Sequence, residues 1–367
     1  MSSKAPLDYQ LNSSFGKKKL TLSNLLVDPI LVFSLLTILI FGLFVLFSVT
    51  GQIGVMVKKQ FVYIVIGLFL MFFISRLDQS VYKSFLMHLF WLGLVILIWV
   101  LIFPAEGYKT DRWIDLGFIS FQPSEVIRLL LPLAAASYLT RNQRRLTIKD
   151  WSIVLVAIFS SSFLIFIQPD LGTALIVLAS GCIPVFLAGF PLLIIMIFIL
   201  LVIISSPFLW ASLTPYMQQR VVTLFNPESD LLGAGWNISQ SKTAIGSGGI
   251  WGKGYLNGTQ SQLDFIPESH SDFIFSVIGE EFGFLGIFLL LMLYGIILYR
   301  VFKIALNSST EFSRLASSSI GFIFLIYLWI NVSMTVGTLP VVGVPLPLIS
   351  QGGTSILIHL IAFGFVL

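Results

Sequence analysis

Charge is scarce in this chain. Asp, Glu, Lys and Arg make up 10% of its 367 residues, against about 25% in a typical soluble domain. With apolar residues at 57% and a mean hydropathy of +0.97, an ordinary soluble domain is excluded. The single cysteine, Cys182, rules out a disulfide framework, and its place in an apolar run argues against a thiol nucleophile. Lys and Arg total 21 but are spread over loop ends rather than gathered on one face, which speaks against nucleic-acid binding. No polar stretch is long enough for a separate soluble core. Residues 28–367 therefore read as one transmembrane domain behind an N-terminal tail, 1–27. A Walker-type phosphate loop is missing too: the register set by Gly252-Lys253 would need Gly at Ser247 and Ser or Thr at Gly254. No nucleotide is expected.

Apolar runs recur instead. Ten of them, near 30–50, 57–75, 83–103, 122–140, 151–168, 171–189, 191–212, 273–299, 315–338 and 350–367, approach the ~20 residues that cross a hydrocarbon core. Backbone groups in lipid bond within their own segment, so these spans are helices. The sequence predicts an all-α polytopic membrane protein of about ten transmembrane helices, with a large outer-face loop, 213–272, between the seventh and eighth. The first span follows Lys17, Lys18 and Lys19 and reads as a signal anchor. Thirteen cations, among them Arg141, Arg144 and Arg145, fall on one set of loops and seven on the other. The positive-inside rule then places both termini in the cytoplasm and 213–272 outside. Structureless loops of that length are functional or disordered. Trp236, Ile238, Trp251, Tyr255, Phe265 and Ile266 offer apolar surface to bury, so a folded cap is expected, with a short helix over 235–245.

Polar chemistry concentrates in Gly246–Glu281, GSGGIWGKGYLNGTQSQLDFIPESHSDFIFSVIGEE. Asp272 stands where the loop enters the eighth span. Pro267 suits a first helical turn, which would set Glu268 and Asp272 four apart on one helical face. Asp272 reads either as a general base tuned by a half-apolar setting or as a helix cap. His270 reads as an assisting group, a metal ligand or a polar interfacial residue. Glu280 and Glu281, two turns deeper, are intramembrane carboxylates with a function or a pair solvated by a vestibule. Gly246, Gly248, Gly249, Gly252 and Gly254 make either an anion nest or tight turns. Elsewhere, Glu125 and Arg128 are helical neighbours and point to a polar cavity near the outer face. Asp170 joins two spans with almost no loop, as a cap, a site residue or both. The Pro/Gly-rich run 339–353 needs irregular backbone, which membranes tolerate only where it lines a cavity or is buried in protein.

Four stretches carry a resemblance: RWIDLGFISFQPSE (Arg112–Glu125), QPDLGTALIVLASG (Gln168–Gly181), the long run Gln218–Gly283 and LPVVGVPLPLISQGG (Leu339–Gly353). They resemble the SEDS family, the shape, elongation, division and sporulation proteins, and the likeness covers nearly all of the chain after Val27. The GTQSQLDFIPE wording and short termini are nearer to its elongation branch than to its division branch. The resemblance implies a peptidoglycan glycosyltransferase of the bacterial cytoplasmic (inner) membrane. Such an enzyme polymerises lipid II for cell elongation and rod shape, and releases polyprenyl pyrophosphate. It implies Asp272 as the catalytic base and Glu125, Arg128 and Asp170 as cavity residues. Arg128 stands where the family commonly has Lys, and Gln351 where it has the Tyr of SYGG. Implied partners are a class B penicillin-binding protein transpeptidase and other membrane proteins of the elongation complex. A leaving pyrophosphate calls for cations or a divalent metal, Mg or Mn. Lys109, Arg112, Arg220, Lys242 and Lys253 are the outer-loop candidates, and the metal's ligands are not assigned. Two other classes stay open. One is a lipid II flippase, for which Glu125, Arg128 and Asp170 would line a headgroup path, although no internal repeat of the transporter kind is visible. The other is a non-catalytic scaffold of the wall-synthesis complex.

Overall fold

The computed structural model describes residues 28–50, 54–103, 114–115, 120–141, 146–168, 170–225, 234–263 and 265–367. Lys109 and Arg112 lie outside them. Ten helices fall on the ten expected spans: α1 (Pro29–Val49), α2 (Gly54–Ile74), α3 (Gln79–Ile102), α4 (Pro123–Leu139), α5 (Ile148–Ile167), α6 (Leu171–Leu187), α7 (Leu192–Ser212), α11 (Ile274–Leu306), α12 (Glu311–Thr335) and α13 (Gly353–Val366). By length and composition α1, α2, α3, α5, α11 and α12 can each cross a membrane, and α6 and α13 are shorter apolar helices. Before α4 a two-residue antiparallel ribbon pairs β1 (Ile114–Asp115) with β2 (Ser120–Phe121) in the register Ile114 to Phe121.

Local chemistry starts and joins the helices. Asp28 caps α1 by accepting from the Leu31 N–H at 3.0 Å, and Thr147 and Asp150 form a reciprocal capping box on α5. Arg300 of α11 grips Asp28 with its fork, Nη2 to Oδ2 at 2.5 Å, so α1 and α11 are tied at the end opposite the long loop.

Two apolar clusters fill the bundle. One is built from α1, α2, α11, α12 and α13, the other from α3, α4, α5 and α6. Helix α4 belongs to both: Leu129 and Leu133 face the first cluster, Ile127 and Leu131 the second. Nearly all of α4 is therefore buried, including Glu125 and Arg128. Helix α7 is the opposite case. Its described side chains are almost all exposed, which puts it at the rim of the bundle.

The long loop folds into a cap containing α8 (Pro215–Phe225), α9 (Ala234–Ser247) and α10 (Thr259–Gln262). The helix expected over 235–245 is α9. Its Ser241 hydroxyl donates to the Thr335 carbonyl of α12 at 2.7 Å, and Ala244 packs with Ile266 and Phe273. Part of the apolar surface assigned to the cap interior is not buried: Trp251 is 79% exposed, and Trp236 and Phe265 are exposed as well.

Helix α11 is not one piece. Gly283 breaks it, with φ 65° and ψ −164°, a conformation open in practice only to glycine. The break frees backbone groups on both sides, and the strap 248–257 takes them up. Lys253 and Gly254 donate N–H groups to the Glu280 and Glu281 carbonyls at 2.9 and 3.0 Å, while Phe284 and Leu285 donate to the Gly249 and Ile250 carbonyls at 2.9 and 3.1 Å. The glycines of the strap permit this approach: a Cβ at Gly252 would fall 2.5 Å from the Glu281 carbonyl carbon and 2.7 Å from the Gly283 nitrogen. Close backbone docking, rather than an anion nest, accounts for Gly248 and Gly252.

Candidate active site

Helix α4 begins with Pro123 at its first position and carries Glu125 in its first turn. Arg128 follows one turn later on the same side. Helix α6 begins at Asp170, whose side chain accepts from the Thr173 N–H at 3.1 Å. The α12–α13 connection brings Val342, Gly343, Val344 and Pro345 over these two helix ends. With Gln122, Thr173 and Tyr327 they enclose a cavity of about 180 Å³ lined by Glu125, Arg128 and Asp170. Asp170, distant in sequence from Glu125 and Arg128, meets them here, and it is both cap and cavity wall.

Arg128 is 4% exposed. Its Nη1 donates to the Tyr327 hydroxyl, and its guanidinium lies 3.9 Å from the centre of the Tyr327 ring, a cation–π stack. Glu125 Oε2 and Arg128 Nη2 have no hydrogen-bond partner among the described residues. Buried polar atoms left in this condition cost free energy and call for an explanation. For Glu125 a polar ligand in the cavity supplies one.

Asp272 adjoins this cavity. Its Oδ2 lies 3.6 Å from where a side chain at Gly343 would begin. The helix expected from Pro267 is not formed: 267–273 is a chain of turns, and α11 starts at Ile274. The reason is competition for carbonyls. Gln351 N–H donates to His270 O at 2.9 Å, the Ser350 hydroxyl to Ser271 O at 2.5 Å and Asn331 Nδ2 to Asp272 O at 2.9 Å. Carbonyls so engaged by distant partners are not free for a helical ladder. Two sequence readings fall with that helix. Glu268 and Asp272 do not share a helical face, and the cap position of α11 belongs to Phe273, with no side-chain cap bond, not to Asp272. Exposed Glu268 accepts from the Ser271 hydroxyl at 2.7 Å. His270 is half-buried beside it.

Asn331 was not legible as a site residue. It is fully buried, and its amide nitrogen also donates to Val344 O at 2.7 Å. One side chain thus pins both the Asp272 loop and the cavity roof to α12. Gln60 of α2 does similar work further along, donating to Ser350 O at 3.0 Å. The available signal was a lone polar side chain inside an apolar span, the kind that joins helices by hydrogen bonds in membranes.

Glu280 and Glu281 are buried rather than solvated. Glu280 accepts from Lys253 Nζ at 2.7 Å, from the Thr259 hydroxyl at 3.0 Å and from the Gln260 N–H at 3.0 Å. Glu281 accepts from the Ser48 hydroxyl of α1 at 2.5 Å. The two carboxylates fasten the cap to the bundle. Lys253 is corrected accordingly: its charge serves Glu280 and is withdrawn from the pyrophosphate candidates. Lys242 stands exposed on α9 with its ammonium end over Gly337. Arg220 lies on α8, with its side chain outside the described residues. Among the described residues no group of three or more His, Cys, Asp or Glu is arranged to hold a metal.

A helical bundle with a charge-lined cavity under a folded cap, and a carboxylate at the cavity edge, defines a polytopic membrane protein with an intramembrane polar site. The family model described as cell cycle protein, for FtsW, RodA and SpoVE, matches residues 23–367. The chain belongs to that family, the SEDS proteins. It is 41% identical over 342 residues to the peptidoglycan glycosyltransferase MrdB of Escherichia coli K12, covering 93% of this chain and 92% of that one. It is 32% identical to the stage V sporulation protein E of Bacillus subtilis over 93% and 96% of the two chains. A chain from the structural study of polymerisation and crosslinking by a peptidoglycan synthase complex superposes with a TM-score of 0.79 at 31% identity, over 92% of this chain and 95% of that one. The crystal structure of Thermus thermophilus RodA superposes at 0.68 and 28% identity, over 92% and 94%.

Proposed function

We propose that this chain is a peptidoglycan glycosyltransferase that polymerises lipid II in the bacterial cytoplasmic membrane during cell elongation. The carrying observation is Asp272, held by three backbone anchors at the edge of a cavity lined by Glu125, Arg128 and Asp170. Asp272 takes the proton of the acceptor sugar hydroxyl as general base. The hydroxyl oxygen forms a bond to the donor's anomeric carbon, and the bond from that carbon to the pyrophosphate oxygen breaks. The pyrophosphate leaves with the electron pair. Arg128 and Lys242 are the described cations that would meet its charge, with Lys109, Arg112 and Arg220 as further candidates. Glu125 and Asp170 orient the cavity's polar floor.

A divalent cation belongs to this reading. Glu125 and Asp170 share their cavity with the Arg128 guanidinium, and no larger donor group is present among the described residues. This donor set fits an ion of the Mg type, which is held by one or two carboxylates plus substrate phosphates. Such an ion would offset charge on the departing pyrophosphate. Both termini lie in the cytoplasm and the cap outside, as the positive-inside bias supports. A class B penicillin-binding protein is the proposed partner, since the 31%-identical neighbour comes from a peptidoglycan synthase complex.

The test is polymerisation by the purified chain, alone and with its partner, given lipid II and a divalent cation. Wild type should make glycan strands, and Asp272→Asn should lower the rate at least a hundredfold. Strand synthesis at full rate by Asp272→Asn sinks the base assignment. Lipid II crossing proteoliposomes without polymer would favour a flippase. Against that reading, below Arg128 the polar cavity gives way to a space of about 20 Å³ walled mainly by Leu129, Ile320, Ile323 and Phe324.

A further inference from the structure

The cavity floor has a support that the proposed reaction does not use. Tyr327 of α12 holds Arg128 on one face, by its hydroxyl and its ring. On another side of the same ring stands His359 of α13, edge-on, with centroids 5.5 Å apart and planes at 78°. His359 is buried, and its Nδ1 lies 2.7 Å from the Ser355 carbonyl oxygen. A carbonyl only accepts, so Nδ1 carries the proton. In the neutral ring Nε2 is then an acceptor. His359 Nε2 and Arg128 Nη2 are both buried and without partners among the described residues. Both residues line the same cavity of about 20 Å³. An orphaned acceptor and an orphaned donor thus belong to two residues that line one space large enough for a single water, which needs roughly 10–15 Å³ and two or more polar partners.

We propose that Tyr327 and His359 are positioning residues for Arg128, with one water bridging Arg128 Nη2 to His359 Nε2. The two links fix both ends of the guanidinium fork. Arg128 is thereby held facing Glu125 and the reaction cavity, and cannot swing its long side chain towards the bundle interior. Three helices, α4, α12 and α13, meet at this one cation. The catalytic consequence rests on the glycosyltransferase reading; the bridge itself does not.

The chain has three histidines, His88, His270 and His359, so nitrogen NMR of the ¹⁵N-histidine-labelled full chain resolves the bridge. Replacement of His88 or His270 by Gln assigns the signals. The expected His359 signal is the neutral Nδ1–H form, with an Nε2 resonance that shifts in Arg128→Lys and stays put in the distant Arg300→Lys. An Nε2–H form, or an Nε2 resonance indifferent to Arg128→Lys, overturns the bridge. Turnover on lipid II tests the consequence. His359→Asn keeps the bond to Ser355 but loses the ε acceptor and should lower turnover at least tenfold. His359→Gln, which reaches the ε position, should stay within threefold of wild type. Tyr327→Phe keeps the ring, drops the hydroxyl and should show a loss like that of His359→Asn. Wild-type turnover in both His359→Asn and Tyr327→Phe overturns the positioning role. If the wild-type chain makes no polymer, the glycosyltransferase reading fails, and the NMR result still decides the bridge.

Discussion

Gly252→Ala should open the strap from the break in α11, and the size of the effect follows from the geometry. Two costs add. First, Gly252 has φ +80°, and placing an L-residue in the left-handed region costs about 1–2 kcal/mol. Second, the new methyl would sit 2.5 Å from the Glu281 carbonyl carbon and 2.7 Å from the Gly283 nitrogen. Both are backbone atoms and cannot swing aside, so the strap must lift. Lifting breaks the bonds from Lys253 and Gly254 to the Glu280 and Glu281 carbonyls, each worth about 0.5–1.5 kcal/mol. The sum is roughly 2–5 kcal/mol. Gly249 is the control. Its φ is also positive, at +56°, but a Cβ there meets nothing within 4 Å, so Gly249→Ala carries only the first cost. The assay is hydrogen exchange of the strap amides in the purified chain. Protection at Lys253 and Gly254 should fall about thirtyfold or more in Gly252→Ala, since each factor of ten is about 1.4 kcal/mol. Gly249→Ala should lose clearly less. Equal losses in the two variants would refute the close-docking account.

Asn331→Leu removes the donor to both Asp272 O and Val344 O and leaves two carbonyls without it. The cost should be about 2–4 kcal/mol, read by thermal unfolding, with a loss of turnover exceeding that of a same-size apolar change elsewhere in α12. Lys253→Met strips the fully buried Glu280 of its cation and should destabilise by about 2–4 kcal/mol, somewhat under the figure for a fully buried pair. Adding Glu280→Gln to Lys253→Met should recover at least half of that loss; no recovery would mean the pair is not what Lys253 contributes.

Hydropathy found the ten spans because crossing a bilayer is a property of composition, legible one segment at a time. The placing of Glu125 and Arg128 beside a polar cavity was legible too, because an ionisable residue inside an apolar span has few places to go; that Asp170 joins them was implied only by the family resemblance. The course of 267–273 was not. Pro267 and the spacing of Glu268 and Asp272 are sound local signals for a helix, and they lose to three carbonyl partners from residues 331–351. Lys253 shows the same limit: a cation in a loop looks available until the chain places Glu280 against it. Asn331 shows only as a lone polar residue in an apolar span, and Tyr327 and His359 carry no local pattern at all. Their roles come from which helices pack side by side, and a lone sequence does not display that.

The anchoring of the Asp272 loop has a consequence for how the protein is made. Its three carbonyl partners are Asn331, Ser350 and Gln351, all synthesised well after Asp272 itself. The loop therefore cannot take its working shape while the ribosome is still delivering α12 and the connection to α13. A nascent chain that has delivered Asp272 but not these partners holds that carboxylate without its geometry. The loop is set only once residues 331–351 are delivered, so a half-made copy lacks the arrangement that the proposed reaction needs.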